Sequence, residues 1–182
     1  SDATSYAAFD SPNALPLGTI GINLTLRPRL IRQQAGKFRL ETGLNTHVIA
    51  LTMLPGFDHS IAQRALLETE PEHQVHAVVV RGFGVGNVPT QGKYSIRPLI
   101  SALRDAGIEI VVTTQSVRGG TDQRLYHGGR VLHELGVIGA RDMTFEAAVA
   151  KVMWSLAQPE QTLAEWFETD IAGEASFGPY RM

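Results

Sequence analysis

The residues best placed to do chemistry lie in one stretch, Arg81-Gly82-Phe83-Gly84-Val85-Gly86-Asn87-Val88-Pro89. Three glycines alternate there, and glycine lets the backbone take conformations closed to other residues and approach a ligand closely. A guanidinium such as that of Arg81 holds a carboxylate through two parallel hydrogen bonds. The side-chain amide of Asn87 both donates and accepts. An amide or carboxylate clasped by Arg81, Asn87 and loop backbone is one reading. A tight turn with no ligand, and a salt bridge from Arg81 to an acid elsewhere, are the others. A dinucleotide site does not fit, because its fingerprint needs a glycine where Asn87 stands. Pro89 also separates the glycines from the amino end of the next helix.

Two further polar stretches follow. Gln115 and Ser116 offer donors and acceptors where a strand is expected to end; they either meet a ligand or satisfy loop backbone. Thr121-Asp122 pairs a potential nucleophile with an acid, but no lysine stands nearby to take the proton and the nearest histidine is His127. An exposed, mobile loop is the simpler expectation there. The six histidines are scattered. His73 and His76 lack a third ligand at suitable spacing, and His127 and His133 do not share a helix face. No metal site is expected. There is no cysteine, which removes thiol nucleophiles and sulfur-bound zinc.

The elements that must position these residues read from the apolar pattern. Residues 48–54 form a nearly continuous apolar run suited to a buried parallel strand, closed by Pro55-Gly56. A helix capped by Asp58 or Ser60 follows. Val75–Val80 predicts a second strand, Tyr94–Ala106 a helix ending at Gly107, and Ile108–Val112 a third strand. A short helix near Tyr126–Leu135 ends at Gly136. Asp142 or Thr144 caps a strong helix over Phe145–Leu156, and a last short helix carries Leu163, Trp166 and Phe167. Trp154 and Trp166 read as core or interface residues. Alternating strands and helices predict a three-layer α/β/α domain with a small parallel sheet of about four strands, flavodoxin-like. Ligands of such sheets bind beyond the carboxyl ends of the strands. The first 45 residues differ. Proline and glycine punctuate them closely, and they read as an extended arm with a possible edge strand at 37–41. The domain proper then spans 46–182.

The chain has 182 residues, 43% hydrophobic and 19% charged, which excludes a disordered chain. Sixteen Lys and Arg against eighteen Asp and Glu leave a net charge of -2, too little positive field for a general nucleic-acid binder. No apolar run reaches the ~18 residues of a membrane helix, and the opening residues do not read as a signal peptide.

Several of these motifs, in order, resemble the C-terminal half of bacterial type I L-asparaginase. They are Ala8-Phe9-Asp10-Ser11-Pro12-Asn13, Arg81 through Asn87, Thr114-Gln115, Tyr126-His127-Gly128, Gly136-Val137-Ile138-Gly139, Asp142 through Ala148, and Lys151. The resemblance runs from about Ser5 to Glu174. It implies a two-domain cytoplasmic enzyme that hydrolyses L-asparagine to aspartate and ammonia. The Thr nucleophile and a second Thr-Asp-Lys set lie in the N-terminal domain of that family. Their marker strings, Thr-Gly-Gly-Thr and Gly-Thr-Asp-Thr, do not occur here, and Gly120-Thr121-Asp122-Gln123 is a near miss at the wrong place. The resemblance therefore implies a C-terminal domain with its linker arm, inactive alone and carrying no catalytic residue, metal or cofactor; the absence of an initiator Met agrees with that expectation. Implied partners are L-asparagine, the N-terminal domain and further copies of the chain, without nucleic acid or membrane. Exposed apolar residues of the arm, Phe9, Leu15 and Leu17, would favour self-association.

The same resemblance implies a substrate or effector site of Arg81, Asn87, Thr114, Gln115 and Ser116. Ser116 departs from the Cys of the enterobacterial type I pattern, which puts allosteric control in doubt. Val88-Pro89 stands where the type II enzymes extend the glycine loop, which favours type I. Two rivals share these loops. One is the asparaginase-like subunit of the tRNA-dependent glutamine amidotransferase, and the other is a non-catalytic amino-acid-binding module.

Overall fold

A computed structural model of the chain describes residue 4 and residues 10–31, 37, 40–121 and 127–176. The chain divides into two units, Ser1–Thr42 and Gly43–Met182.

In the first unit, β1 (Gly18–Ile20) pairs antiparallel with β2 (Leu24–Leu26), with Ile20 opposite Leu24 and Gly18 opposite Leu26. Gly21-Ile22-Asn23 makes the connecting loop, closed by the Gly21 N–H donating to the Asn23 carbonyl at 3.1 Å. Gly18 is required by the pairing, because a Cβ there would sit 2.9 Å from the Leu26 side chain and the Thr25 carbonyl. The sequence pattern did not reveal this hairpin, since three-residue strands are too short to display alternation. The possible edge strand at 37–41 falls partly on residues outside those described.

In the second unit, β3 (Val48–Thr52), β4 (Ala77–Gly82), β5 (Glu109–Thr114) and β6 (Ile138–Gly139) form a parallel sheet in sequence order. The helices α1 (His59–Leu67), α2 (Arg97–Asp105) and α3 (His127–Glu134) connect successive strands. Right-handed crossovers between strands taken in order place their helices on one face. Leu66, Leu99, Ile100, Leu103 and Leu132 accordingly pack together with Val78, Val80, Ile110 and Val112. The opposite face is covered by α4 (Phe145–Ser155) and α5 (Leu163–Phe167), whose Ala148, Val152, Leu163 and Phe167 meet Ala77, Val79 and Val111. The three-layer α/β/α fold is therefore present. Ala77–Val80 is buried on both sides, which is why its sequence is apolar throughout rather than alternating. The edge strand β3 is more open, with Ile49 40% exposed.

Local chemistry sets the ends of these elements. The Asp58 carboxylate accepts the Ser60 N–H at 2.8 Å and starts α1; its bonds to the Ser60 hydroxyl and amide hold its pKa below the ordinary value. Thr144, rather than Asp142, caps α4 through the Ala147 N–H. Thr162 and Glu165 form a reciprocal capping box on α5. Gly107 and Gly136 take positive φ after α2 and α3. Helix α2 begins at Arg97 rather than Tyr94. Trp154 and Trp166 meet edge to face at 4.9 Å, joining α4 to α5.

Candidate functional site

The carboxyl ends of β4 and β5 open into the two loops that the sequence singled out. Their register pairs Arg81 with Thr113 and Gly82 with Thr114. Successive side chains point to opposite faces of a sheet. Arg81 and Thr113 therefore follow Val79 and Val111 onto the α4–α5 face, and Thr114 follows Val112 onto the α1–α3 face. The structure thus divides the expected site residues between two faces.

On the α4–α5 face the Arg81 guanidinium carbon lies 4.6 Å from the centroid of the Phe145 ring. The Arg81 Nε is buried with no hydrogen-bond partner among the described residues. Thr113 beside it is fully buried, and its hydroxyl is likewise unpartnered among the described residues. Buried polar atoms are nearly always paired, so two orphans at adjacent registered positions mark this corner. Thr113 was not among the sequence candidates. The available signal was a Thr-Thr pair ending an otherwise apolar strand, which alternation sends one to each face.

The glycine loop is a tight hairpin. Phe83 and Asn87 exchange backbone hydrogen bonds, each 2.7 Å. Gly86 has φ +89, and a Cβ there would lie 2.7 Å from the Thr121 methyl carbon. A Cβ on Gly82 would lie 2.6 Å from the Gly86 carbonyl carbon, a backbone clash. The glycines therefore serve close packing between loops as well as turning. Asn87 is half-buried at the start of α3, where a Cβ on Gly128 would come 3.9 Å from its side-chain oxygen.

Thr114, Gln115 and Ser116 all brace the backbone. The Thr114 hydroxyl donates to the Gly84 carbonyl and accepts the Ser116 N–H at 2.9 Å. The Ser116 hydroxyl reaches the same carbonyl at 3.4 Å. The Gln115 amide nitrogen donates to the Met53 carbonyl at 2.7 Å and to the Arg81 carbonyl at 3.1 Å, tying the ends of β3 and β4 together. Both of its amide hydrogens are thereby committed to the scaffold.

Thr121 differs from its expectation as part of an exposed loop. It is buried, its N–H donates to the Arg141 carbonyl at 2.7 Å, and its hydroxyl donates to the same oxygen at 3.2 Å. The missing side chain of Gly86 makes the room it fills. Asp122 lies outside the described residues. Arg141 itself has φ +55, the left-handed region that non-glycine residues rarely adopt. At the opposite end of the strands His76 stacks on His47 at 4.9 Å instead of pairing with His73. Among the described residues no group of three or more His, Cys, Asp or Glu could hold a metal. No helix among them is long and apolar enough to cross a membrane.

What the corner offers chemically is a short polar rim at the strand ends: a half-buried guanidinium, a half-buried amide and a buried hydroxyl, set in backbone that glycine brings close. That suits holding a small amide or carboxylate rather than cleaving one.

Comparison with known proteins adds to this. Residues 47–167 match the family model described as the glutaminase/asparaginase C-terminal domain. The chain is 34% identical over 178 residues to the 60 kDa lysophospholipase of Homo sapiens, covering 95% of this chain and 30% of that protein. It is 32% identical over 175 residues to the asparaginase-related component of the glutamyl-tRNA(Gln) amidotransferase of Aeropyrum pernix, covering 93% and 39%. It is 30% identical over 175 residues to L-asparaginase 1 of Escherichia coli K12, covering 94% and 50%. The solved structure of L-asparaginase I from Vibrio cholerae superposes with a TM-score of 0.81 at 31% identity, covering 97% of this chain and 52% of that one. The chain spans between 30% and 50% of the length of these curated relatives.

Proposed function

Because the chain belongs to the glutaminase/asparaginase C-terminal domain family, we propose that it is the C-terminal domain of a type I L-asparaginase. In this reading the intact protein hydrolyses L-asparagine to L-aspartate and ammonia, with the nucleophile supplied by an N-terminal domain. This domain contributes oligomer contacts and an L-asparagine substrate or effector site. Arg81 takes the ligand carboxylate, Asn87 meets its amide, and Thr114, Gln115 and Ser116 hold the loop backbone that frames them. A cytoplasmic location and allosteric control belong to the same reading.

One observation carries it. The region is matched at 30 to 34% identity in relatives whose names specify asparagine hydrolysis, tRNA-linked amidotransfer and lysophospholipid hydrolysis. What the region contributes is common to them, and the chemistry that separates them lies elsewhere. The Thr121 hydroxyl agrees with that division, since it is buried and donates to a backbone carbonyl. A nucleophile needs a base in reach and access to substrate.

The test is ammonia release from L-asparagine by the purified chain at high concentration. None is expected from the chain alone, and turnover is expected when the N-terminal half of a type I enzyme is supplied. Release by the chain alone, abolished by Thr121→Ala, would refute this assignment. The amidotransferase component stands as a second reading because its identity to the chain is equal to the asparaginases' within a few per cent. Its tRNA partner fits poorly with a net charge of -2. Salt-sensitive binding of tRNA by the chain would favour it. Self-association is expected from the exposed Leu15, Leu17 and Ile20 of the first unit. A monomer in light scattering at micromolar concentration would count against that part.

A further inference from the structure

The last described segment, Thr169–Ser176, is fastened by a buried cation. Lys151 stands in the buried stripe of α4 with Ala148, Val152 and Ser155. Its ammonium donates to the Thr169 carbonyl at 2.6 Å and pairs with the Glu174 carboxylate, and it lies 5.4 Å from the Phe167 ring centroid. Glu174 also accepts the N–H groups of Ala172 at 2.7 Å and Ile171 at 3.3 Å, while Asp170 accepts that of Gly173 at 2.7 Å. The segment therefore folds around its own carboxylates with the lysine as its anchor. Opening it would leave the ammonium buried without its carboxylate, which is strongly unfavourable. That makes the closed form a latch rather than a loose end.

The latched segment ends on the loops of the candidate site. The Ser176 N–H donates to the Asp142 carboxylate at 2.7 Å. The adjacent Arg141 holds positive φ, pairs with Glu168 at the end of α5, and accepts both Thr121 donors on its carbonyl. A Cβ on Gly120 would lie 2.5 Å from that carbonyl oxygen, so the two backbones are in full contact. Thr121 in turn packs on Gly86, one residue before Asn87. Each contact in this series is direct, from Lys151 to the turn that presents Asn87.

We propose that Thr169–Ser176 is a positioning strap: latched by Lys151 and Glu174, it holds the Arg141–Asp142 corner, and through Thr121 it sets the conformation of the Phe83–Asn87 turn. The strap acts on the shape of the turn, so the inference holds whichever relative's chemistry the intact protein performs. Lys151 and Glu174 are positioning residues here, far from any reacting atom.

Site-resolved amide hydrogen exchange on the full chain tests it. In Glu174→Gln, the amides of Ile171 and Ala172 and those of Gly86 and Asn87 should exchange faster by at least about tenfold, while Val78–Val80 in the core stay protected. Faster exchange in the strap with no change at Gly86 and Asn87 would overturn the proposal. Should that variant fail to fold, Asp142→Ala decides the matter, because it cuts the strap from the corner and leaves the Lys151–Glu174 pair in place. Gly86 and Asn87 should then lose protection while Ile171 and Ala172 keep it. Asp142→Asn, which keeps an acceptor oxygen for Ser176, should restore the protection. Unchanged exchange at Gly86 and Asn87 in Asp142→Ala would overturn the proposal equally.

Discussion

On one face of the sheet, Val78, Val80, Ile110 and Val112 meet Leu66, Leu99, Ile100, Leu103 and Leu132, and the contact is hydrocarbon throughout. On the other face, Ala77, Val79 and Val111 give way at the strand ends to Arg81 and Thr113, and the helix above contributes Lys151 and Ser155. The unpartnered buried atoms Arg81 Nε, Thr113 Oγ1 and Ser155 Oγ lie on this second side. A buried polar group without a partner costs about 1–3 kcal/mol, so the second face gives up stability that the first supplies. Exceptions to local rules of this kind collect where a protein binds or positions something. The first face holds the domain together, and the second holds the candidate site and the strap.

The largest effects should come from the two anchors. Leu99→Ala on the hydrocarbon face should cost about 4 kcal/mol in denaturant unfolding, through lost transfer energy and a cavity. Lys151→Met on the polar face should cost about 3 kcal/mol, because Glu174 loses the charge that compensates it. A cost near zero for Lys151→Met would mean that the polar face carries no stabilising pair, and the contrast would collapse. Burial works to raise the Glu174 carboxyl, but the Lys151 ammonium and the amides of Ala172, Glu174 and Ile171 bring it down from 4.5 to about 2. Its folded value lies below its unfolded value. The stabilisation is thus complete above 4.5 and fades as pH falls toward 2. Glu174→Gln should flatten the stability profile across that window.

A pair of exchanged hydroxyls sharpens the contrast. Val112→Thr places an unpaired hydroxyl on the hydrocarbon face and should cost about 2 kcal/mol. Thr113→Val removes an orphan from the polar face and should stabilise the ligand-free chain by about 1 kcal/mol. If both substitutions destabilise equally, Thr113 has a partner in solution and the faces are more alike than they look. The smallest effect expected is Thr144→Ala, which removes the cap of α4; it should cost about 1 kcal/mol, or a few degrees in thermal midpoint.

Much of the fold was legible because its signals are local. The runs before Pro55, around Val78 and around Val111 are apolar without alternation, as strands buried on both faces must be. Gly107 and Gly136 close helices with the positive φ that glycine alone adopts freely. The hairpin β1–β2 and the two-residue strand β6 were not resolved as elements, since so few residues carry no period. The candidate site was legible as residue types but not as an arrangement. Arg81 and Thr114 read as neighbours, yet register and alternation set them on opposite faces.

By itself, then, the chain's order of residues determined the alternation of strands and helices, their caps and the loops that carry polar groups. Those depend on side chains a few positions apart, through periodicity and backbone hydrogen bonding. Tertiary structure alone decided which groups meet. Thr113 lies beside Arg81 only through the pairing of β4 with β5. Thr121 is buried only because Gly86 leaves space for it. Lys151 finds Glu174 only because the chain turns back after α5. No local pattern encodes these pairings, because each contact forms only when the whole core closes around it.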